Sequence, residues 1–268
     1  MFKNRYIEKT MKRFVSMLLV LTVMSGLLVP FDLPVFAAEE PATGDSIYAI
    51  LYQYTSNQYE LVFQNGNDYD PDKSFVKEYS GFADIIETQG NSWKAMEWVR
   101  DGNNAKIKRV DFRDKIAPTS IDGWFYNMKL LKNSELLHLE NLDTSSCQYM
   151  RYTFAGSGLE KLDLRSFDVS KVVSAYATFF TCTSLTELDI SNWDMPMVGS
   201  DGSGNLESFL QATALETIDI SSLDLKYSFN LRSMLKGNTN LKKVIFGDKF
   251  TVGELTNKVT IQSHPTKI

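Results

Sequence analysis

Leu159-Glu160-Lys161-Leu162-Asp163-Leu164, Leu185-Thr186-Glu187-Leu188-Asp189-Ile190 and Leu215-Glu216-Thr217-Ile218-Asp219-Ile220 are three versions of one hexapeptide, and their spacing decides how the chain is read. The first two begin 26 residues apart and the next two 30 apart. A self-similar period in the twenties marks a repeat architecture, in which each copy buries its apolar side against its neighbours. Within each copy, apolar residues at positions 4 and 6 flank a polar residue at position 5. This is the alternation of a strand with one buried face.

The likeness continues past the hexapeptide. Position 9 is Phe167, Trp193 or Leu223, and position 10 is Asp168, Asp194 or Asp224. Position 14 is Val172, Val198 or Ser228, and near position 21 stand Phe179, Phe209 and Leu235. Phe209 comes after four extra residues in a stretch that includes Gly199-Ser200-Asp201-Gly202-Ser203-Gly204, the composition of a surface loop. Earlier copies are visible at Ile107 to Phe112 and at Leu137-His138-Leu139, and a later one at Leu241 to Phe246. Apolar residues at positions 14, 17 or 18, and 21 have helical spacing. Asp, Ser and Thr at positions 10 to 12 suit helix caps, and Pro196 suits a first helical turn. The pattern therefore predicts an α/β leucine-rich-repeat solenoid, a parallel strand ladder with helices on the outer side.

The residues also resemble the repeat of the BspA-like leucine-rich repeat surface proteins, known too from mycoplasma lipoproteins, which reads approximately S-L-T-x-L-D-L-S-x-F/W-D-T-S-x-V-x-x-M-x-x-M-F-x-x-C. Ser184 to Asp194 follows it closely, as do Leu142-Asp143-Thr144-Ser145 and Leu159 to Val172, and Phe179 to Ser184 follows its later part. Met-Phe pairs have become Thr178-Phe179, Ser208-Phe209 and Met234-Leu235. The resemblance covers about residues 105 to 246. It implies a secreted or surface-borne bacterial protein that binds partners, and it carries no catalytic residues.

Four regions follow from this reading. Residues 1–37 read as a secretory signal: five basic residues, the apolar Phe14 to Val29, and the cleavage-like Val35-Phe36-Ala37. Residues 38–105 form an amino-terminal cap, with a β-hairpin over 47–64 around Thr55-Ser56-Asn57-Gln58. Residues 106–250 are the solenoid, with its first helix starting at Ile121 to Met128, and residues 251–268 are a closing cap and tail. The cap holds Tyr69, Phe75, Tyr79, Phe82, Trp93 and Trp98, and Trp124 and Phe125 beside it are expected in the core. No later stretch is apolar enough to span a membrane and no sorting motif closes the chain. The expectation is a mature protein released or held by a partner, or one whose anchor lies in a further region.

Cleavage after residue 37 removes five Lys/Arg and two Asp/Glu, leaving 23 basic and 31 acidic residues and a net charge of −8. That argues against nucleic acid and anionic membrane as partners. The two cysteines, Cys147 and Cys182, stand at different phases of neighbouring copies and are expected as separate buried thiols in preference to a bridge. Asp68-Tyr69-Asp70-Pro71-Asp72 has the first spacings of a calcium loop, but Lys73 and Tyr79 occupy its glycine and glutamate positions, so a solvated turn is expected. Neither histidine, His138 or His264, stands in a metal or nucleophile motif, and no cofactor is called for.

Position 5 is the candidate site. Stacked strands would align Asp111, His138, Asp163, Asp189, Asp219 and Ile245 about 4.8 Å apart, flanked by Lys161, Arg165 and Glu187. Carboxylates at that spacing repel one another and favour a cationic or hydrogen-bond-donating partner. They are also candidates for holding turns, and structure outweighs ligand in this reading. The expected function is non-catalytic binding of a protein, such as a host surface or matrix protein, through the exposed strand face. The alternative, a carbohydrate- or cell-wall-binding protein, needs exposed aromatics in a row, whereas the Trp and Phe residues fall at core phases. The repeated aspartates are explained by repetition without an enzyme.

Overall fold

The computed structural model describes residues 40–83, 96–202, 205–228 and 230–248. The signal reading of 1–37, Trp93, the closing segment 251–268 and His264 lie outside the described residues. Among those described the protein is mostly β. Its one α-helical segment, α1 (Glu97–Arg100), is a single turn.

The longest strands come first. Strand β1 (Ile47–Thr55) turns through Ser56 and Asn57 into β2 (Gln58–Asn65), and the two pair antiparallel from Ile47 opposite Asn65. This is the expected hairpin. Its β-branched and aromatic residues suit a pleated surface, and both faces are buried over Ala49–Tyr52 and Leu61–Phe63. Strand β3 (Ser74–Ser80) pairs antiparallel with the other edge of β1. Strand β4 (Ile107–Phe112) lies parallel to β2, with Leu61 opposite Val110 and Phe63 opposite Phe112. The two-residue β5 (Leu136–Leu137) lies parallel to β4. The first repeat strand thus extends the hairpin's sheet into one mixed sheet ordered β3-β1-β2-β4-β5.

Beyond β5 the continuous parallel ladder expected from the sequence is absent. Strands β6 (Lys161–Asp163) and β7 (Glu187–Asp189) form one two-stranded parallel sheet. Strands β8 (Thr217–Asp219) and β9 (Lys243–Ile245) form another. The pairing fails between β5 and β6 because His138 takes a left-handed conformation (φ 54°) and the chain passes into a 3-10 turn at Leu139–Asn141. The register also differs from the expected one: Leu137, not His138, lies opposite Asp111.

The outer helices are absent as well, and the solenoid with a helical outer layer is set aside. Where the apolar spacing suggested helices, the chain makes flat turns. Each of five copies holds two left-handed residues four apart: Gly123 and Asn127, Tyr152 and Gly156, Ala177 and Thr181, Ser208 and Ala212, Ser233 and Gly237. An α-helix cannot run through such residues. Alternate N–H groups therefore point out of the copy. Gly123, Phe125 and Asn127 donate to the carbonyls of Arg151, Thr153 and Ala155 in the next copy. Tyr152, Phe154 and Gly156 donate to Tyr176, Thr178 and Phe180, and Ala177, Phe179 and Thr181 donate to Glu207, Phe209 and Gln211. The intervening N–H groups of Trp124, Tyr126 and Met128 close turns within their own copy. Turn and helix both return apolar side chains to one face every three or four residues, so the hydrophobic pattern could not tell them apart.

The core is a column of rings. Phe63 stacks on Trp124 at 4.6 Å between centroids, Phe125 on Phe154 at 4.9 Å, and Phe154 on Phe179 at 5.5 Å, all within 6° of parallel. Phe209 breaks the series and meets Phe179 edge-on at 76°. The left-handed pairs explain this: Phe179 follows Ala177 by two residues, and the residue two after Ser208 is Leu210, so Phe209 is one place out of phase. Trp124 and Phe125 are fully buried, as expected.

Candidate functional site

The position-5 aspartates are first of all turn formers. Asp163 Oδ1 accepts the backbone N–H of Arg165 at 3.2 Å, Asp189 Oδ1 that of Ser191 at 3.1 Å, and Asp219 Oδ1 that of Ser221 at 2.9 Å. These are Asx turns that end each short strand and send the chain away from the sheet. The position-10 aspartates repeat the device: Asp143 accepts from Ser145, Asp168 from Ser170 and Asp224 from Lys226. The residues read as helix caps thus cap turns, with no helix after them.

The second role of the strand face is charge pairing. Arg165 bonds Asp163 through Nε and Nη2 and lies 3.3 Å from Asp189 on the next strand. Lys161 pairs across the strands with Glu187, and both side chains are nearly two-thirds exposed. Lys132 pairs with Glu160, Arg109 with Glu135 and Lys242 with Glu216. The expected row of unbalanced carboxylates is therefore a mosaic of paired charges. Arg165, hydrogen-bonded to Asp163, holds its carboxyl down at about 2. Ser221 holds Asp219 below its ordinary range in the same way. Both stay charged in any physiological medium.

The eight candidate residues divide into groups. Asp163, Lys161, Glu187 and Asp189 come together on β6 and β7, with Arg165 in the turn just after β6. Asp219 lies on β8, across the break in pairing where Ala214 N–H to Leu185 O joins the two sheets. Asp111 and His138 form a separate pair, Nδ1 to Oδ1 at 2.7 Å. The carboxylate beside it raises the imidazole's pKa above its ordinary value.

The remaining candidates resolve by geometry. Asp70 Oδ1 accepts the N–H of Asp72, its carboxylate faces Arg113 at 3.5 Å, and its own N–H goes to the Tyr52 hydroxyl, so the calcium-like stretch is a turn tied to the sheet. Cys147 and Cys182 are free and fully buried, and burial pushes both thiols up to about 12. No group of acidic, His and Cys side chains with metal-binding geometry occurs among the described residues.

Two features of the site region escaped the sequence reading. One is a buried ion pair: Asp122 accepts the Arg151 backbone N–H at 2.5 Å, its Nε at 2.8 Å and its Nη2 at 2.6 Å. It joins the first two turn copies, and partners 29 residues apart leave no local signal. The other is a row of tyrosines on the turn face, taken up below.

Together these define a class: a mostly-β repeat protein whose exposed strand face carries ordered, paired charges on short strands. Residues 119–248 match the model of a family described as Mycoplasma protein of unknown function, DUF285, which covers the turn copies and β5 to β9. No curated protein and no solved structure matches the chain.

Proposed function

We propose that the chain is a non-catalytic surface protein of the BspA-like kind, exported by the signal read in residues 1–37, which holds a protein partner on its exposed strand face. The observation that carries the proposal is the charge mosaic of β6 and β7. Lys161 and Glu187 stand on strands fixed by parallel pairing and Arg165 in the turn that ends β6, with more than half of each side chain in solvent. Exposed ion pairs contribute little to folding, about 0–1 kcal/mol each, so exchanging them for a partner's charges costs the protein little. Paired charges of both signs favour complementarity of pattern, which gives specificity and association rate. The repeated aspartates are accounted for by their Asx turns, which supports a role without catalysis.

The test uses side chains that the turns do not need. The triple variant Lys161→Ala, Arg165→Ala, Glu187→Ala is compared with the unchanged chain for binding to a panel of purified host matrix proteins by surface plasmon resonance. A partner bound by the unchanged chain and lost by a variant of unaltered melting temperature supports the face. Equal binding places the contact elsewhere and overturns the assignment.

A further inference from the structure

The turn face carries a row of aromatic rings that the core does not use. Tyr126 meets Tyr152 at 6.1 Å and 87°, Tyr152 meets Tyr176 at 5.1 Å and 70°, and Tyr152 meets Phe180 at 6.5 Å and 86°. All four are half-buried, neither enclosed in the core nor fully exposed.

Tyr152 is placed there against its own backbone preference. It is the first left-handed residue of its copy, at φ 55°. The other copies put the smaller residues Gly123, Ala177, Ser208 and Ser233 at this position, of which the glycine alone escapes the steric cost. A bulky aromatic with positive φ is a backbone outlier, and such outliers concentrate at functional sites. The strain sets the Tyr152 ring at the centre of the row, between Tyr126 on one side and Tyr176 and Phe180 on the other.

We propose that Tyr126, Tyr152, Tyr176 and Phe180 form a binding platform for a neutral oligosaccharide. A tyrosine offers a flat apolar ring to the C–H face of a sugar and a hydroxyl to its O–H groups. The spacing between rings is comparable with the length of one pyranose unit, so neighbouring units can contact neighbouring rings. A phenol is neutral at physiological pH, and desolvation raises the pKa of Tyr126 and Tyr152 further, so the row carries no charge. A stable protein interface takes about 800 Å² from each side. Four half-buried rings, each at most about 250 Å² when bare, fall short of that and suit a short glycan. The next copy replaces the aromatics with Glu207 and Gln211, hydrogen-bonding groups at the end of the row.

The test is isothermal titration of the full chain with hexasaccharides of β-linked glucose, of N-acetylglucosamine and of mannose, repeated on Tyr152→Ala and Tyr176→Ala. Tyr152→Ala copies the alanine that stands at 177 in the same left-handed conformation, so the turn accepts it, and a melting curve of each variant shows that it is folded. The expected result is binding of at least one hexasaccharide, weakened about tenfold in each variant, the loss of one stacked ring. Absence of binding by the unchanged chain overturns the proposal, as does equal binding by both variants. Loss of a protein partner in Tyr152→Ala with no sugar bound by any form also overturns it, and makes the row a protein contact.

Discussion

In the amino-terminal sheet, β1 and β2 run nine and eight residues and pair along nearly their whole length. From Lys161 onward each strand is three residues long. The two regions satisfy their backbones differently. The first relies chiefly on strand ladders. The second uses turn-to-turn bonds between copies, aspartates that close turns, and asparagine side chains that do the work of missing strand. Asn133 Oδ1 accepts the N–H groups of Glu160 and Lys161, and Asn238 Oδ1 accepts that of Thr213 at 2.6 Å while its Nδ2 donates to Leu210 O. Stability in the repeats should therefore hang on single side chains and single backbone conformations, which is less true of the sheet.

The most severe break is Asp122→Ala. It leaves the Arg151 guanidinium, only 11% exposed, with no carboxylate. Stranding one member of a buried pair costs about 3–5 kcal/mol. Urea denaturation should show a midpoint lowered accordingly. A change below about 1 kcal/mol would mean that water reaches Arg151 and that the copies are held by their backbone bonds alone.

Gly158→Ala comes next. A Cβ there would lie 2.2 Å from the Lys129 carbonyl oxygen, which is backbone and cannot swing away. Overpacking of this kind costs about 1–3 kcal/mol. At Gly81, beside the end of β3, an added Cβ meets nothing within 4 Å. There φ of +63° leaves conformational strain as the whole cost, about 1 kcal/mol. Thermal melts of the two variants compare close approach between copies with the looser packing at the edge of the sheet.

Much of this was legible in advance, and the illegible part has a physical cause. The hexapeptides gave the strands β6 to β8, because alternation at Leu162-Asp163-Leu164 reports a buried face directly. The hairpin was legible for the same reason. The helices were misread because Phe154, Phe179 and their neighbours return to one face every three or four residues in either conformation. The distinguishing signal is backbone handedness at Tyr152, Ala177, Thr181 and Ser208, and side chains other than glycine and asparagine announce it poorly. At the candidate site, Asp163, Asp189 and Asp219 stood out in the sequence by their repetition, and the structure gives each of them a turn to hold. The charge mosaic was only half visible, since Arg165 and Lys161 were noted as flanking residues and their pairing across strands was not. The tyrosine row runs obliquely across the copies, at a different repeat position each time, so no column of the repeat displays it.

The third prediction has the opposite sign. Thr181 is β-branched and left-handed at φ 54°, a conformation that costs about 1–2 kcal/mol outside glycine. Its N–H, which donates to Gln211, is kept on replacement by glycine. Thr181→Gly should raise the melting temperature, by a net amount of about 1 kcal/mol or less after glycine's greater freedom in the unfolded chain is counted. A loss of stability would show that the turn tolerates threonine without strain, which would weaken the contrast between the regions.

The smallest effect concerns the junction itself, where His138 of the first broken repeat meets Asp111 of the amino-terminal sheet. The folded-state pKa of His138 is raised, first by the hydrogen bond from its ring to the Asp111 carboxylate and then by the carboxylate's charge. Folding therefore favours the protonated ring. That contribution is fully present below the unfolded histidine value of about 6.5 and disappears as pH rises through the higher folded value. The unchanged chain should thus exceed His138→Gln in stability at pH 5, with the difference shrinking as the pH approaches 8. Because the ring is more than half exposed, solvent screening keeps the effect small, and added salt should reduce it further. A difference that stays constant between pH 5 and 8 would assign the role of His138 to its left-handed backbone and leave the two regions joined by hydrogen bonds and packing without a titratable contact.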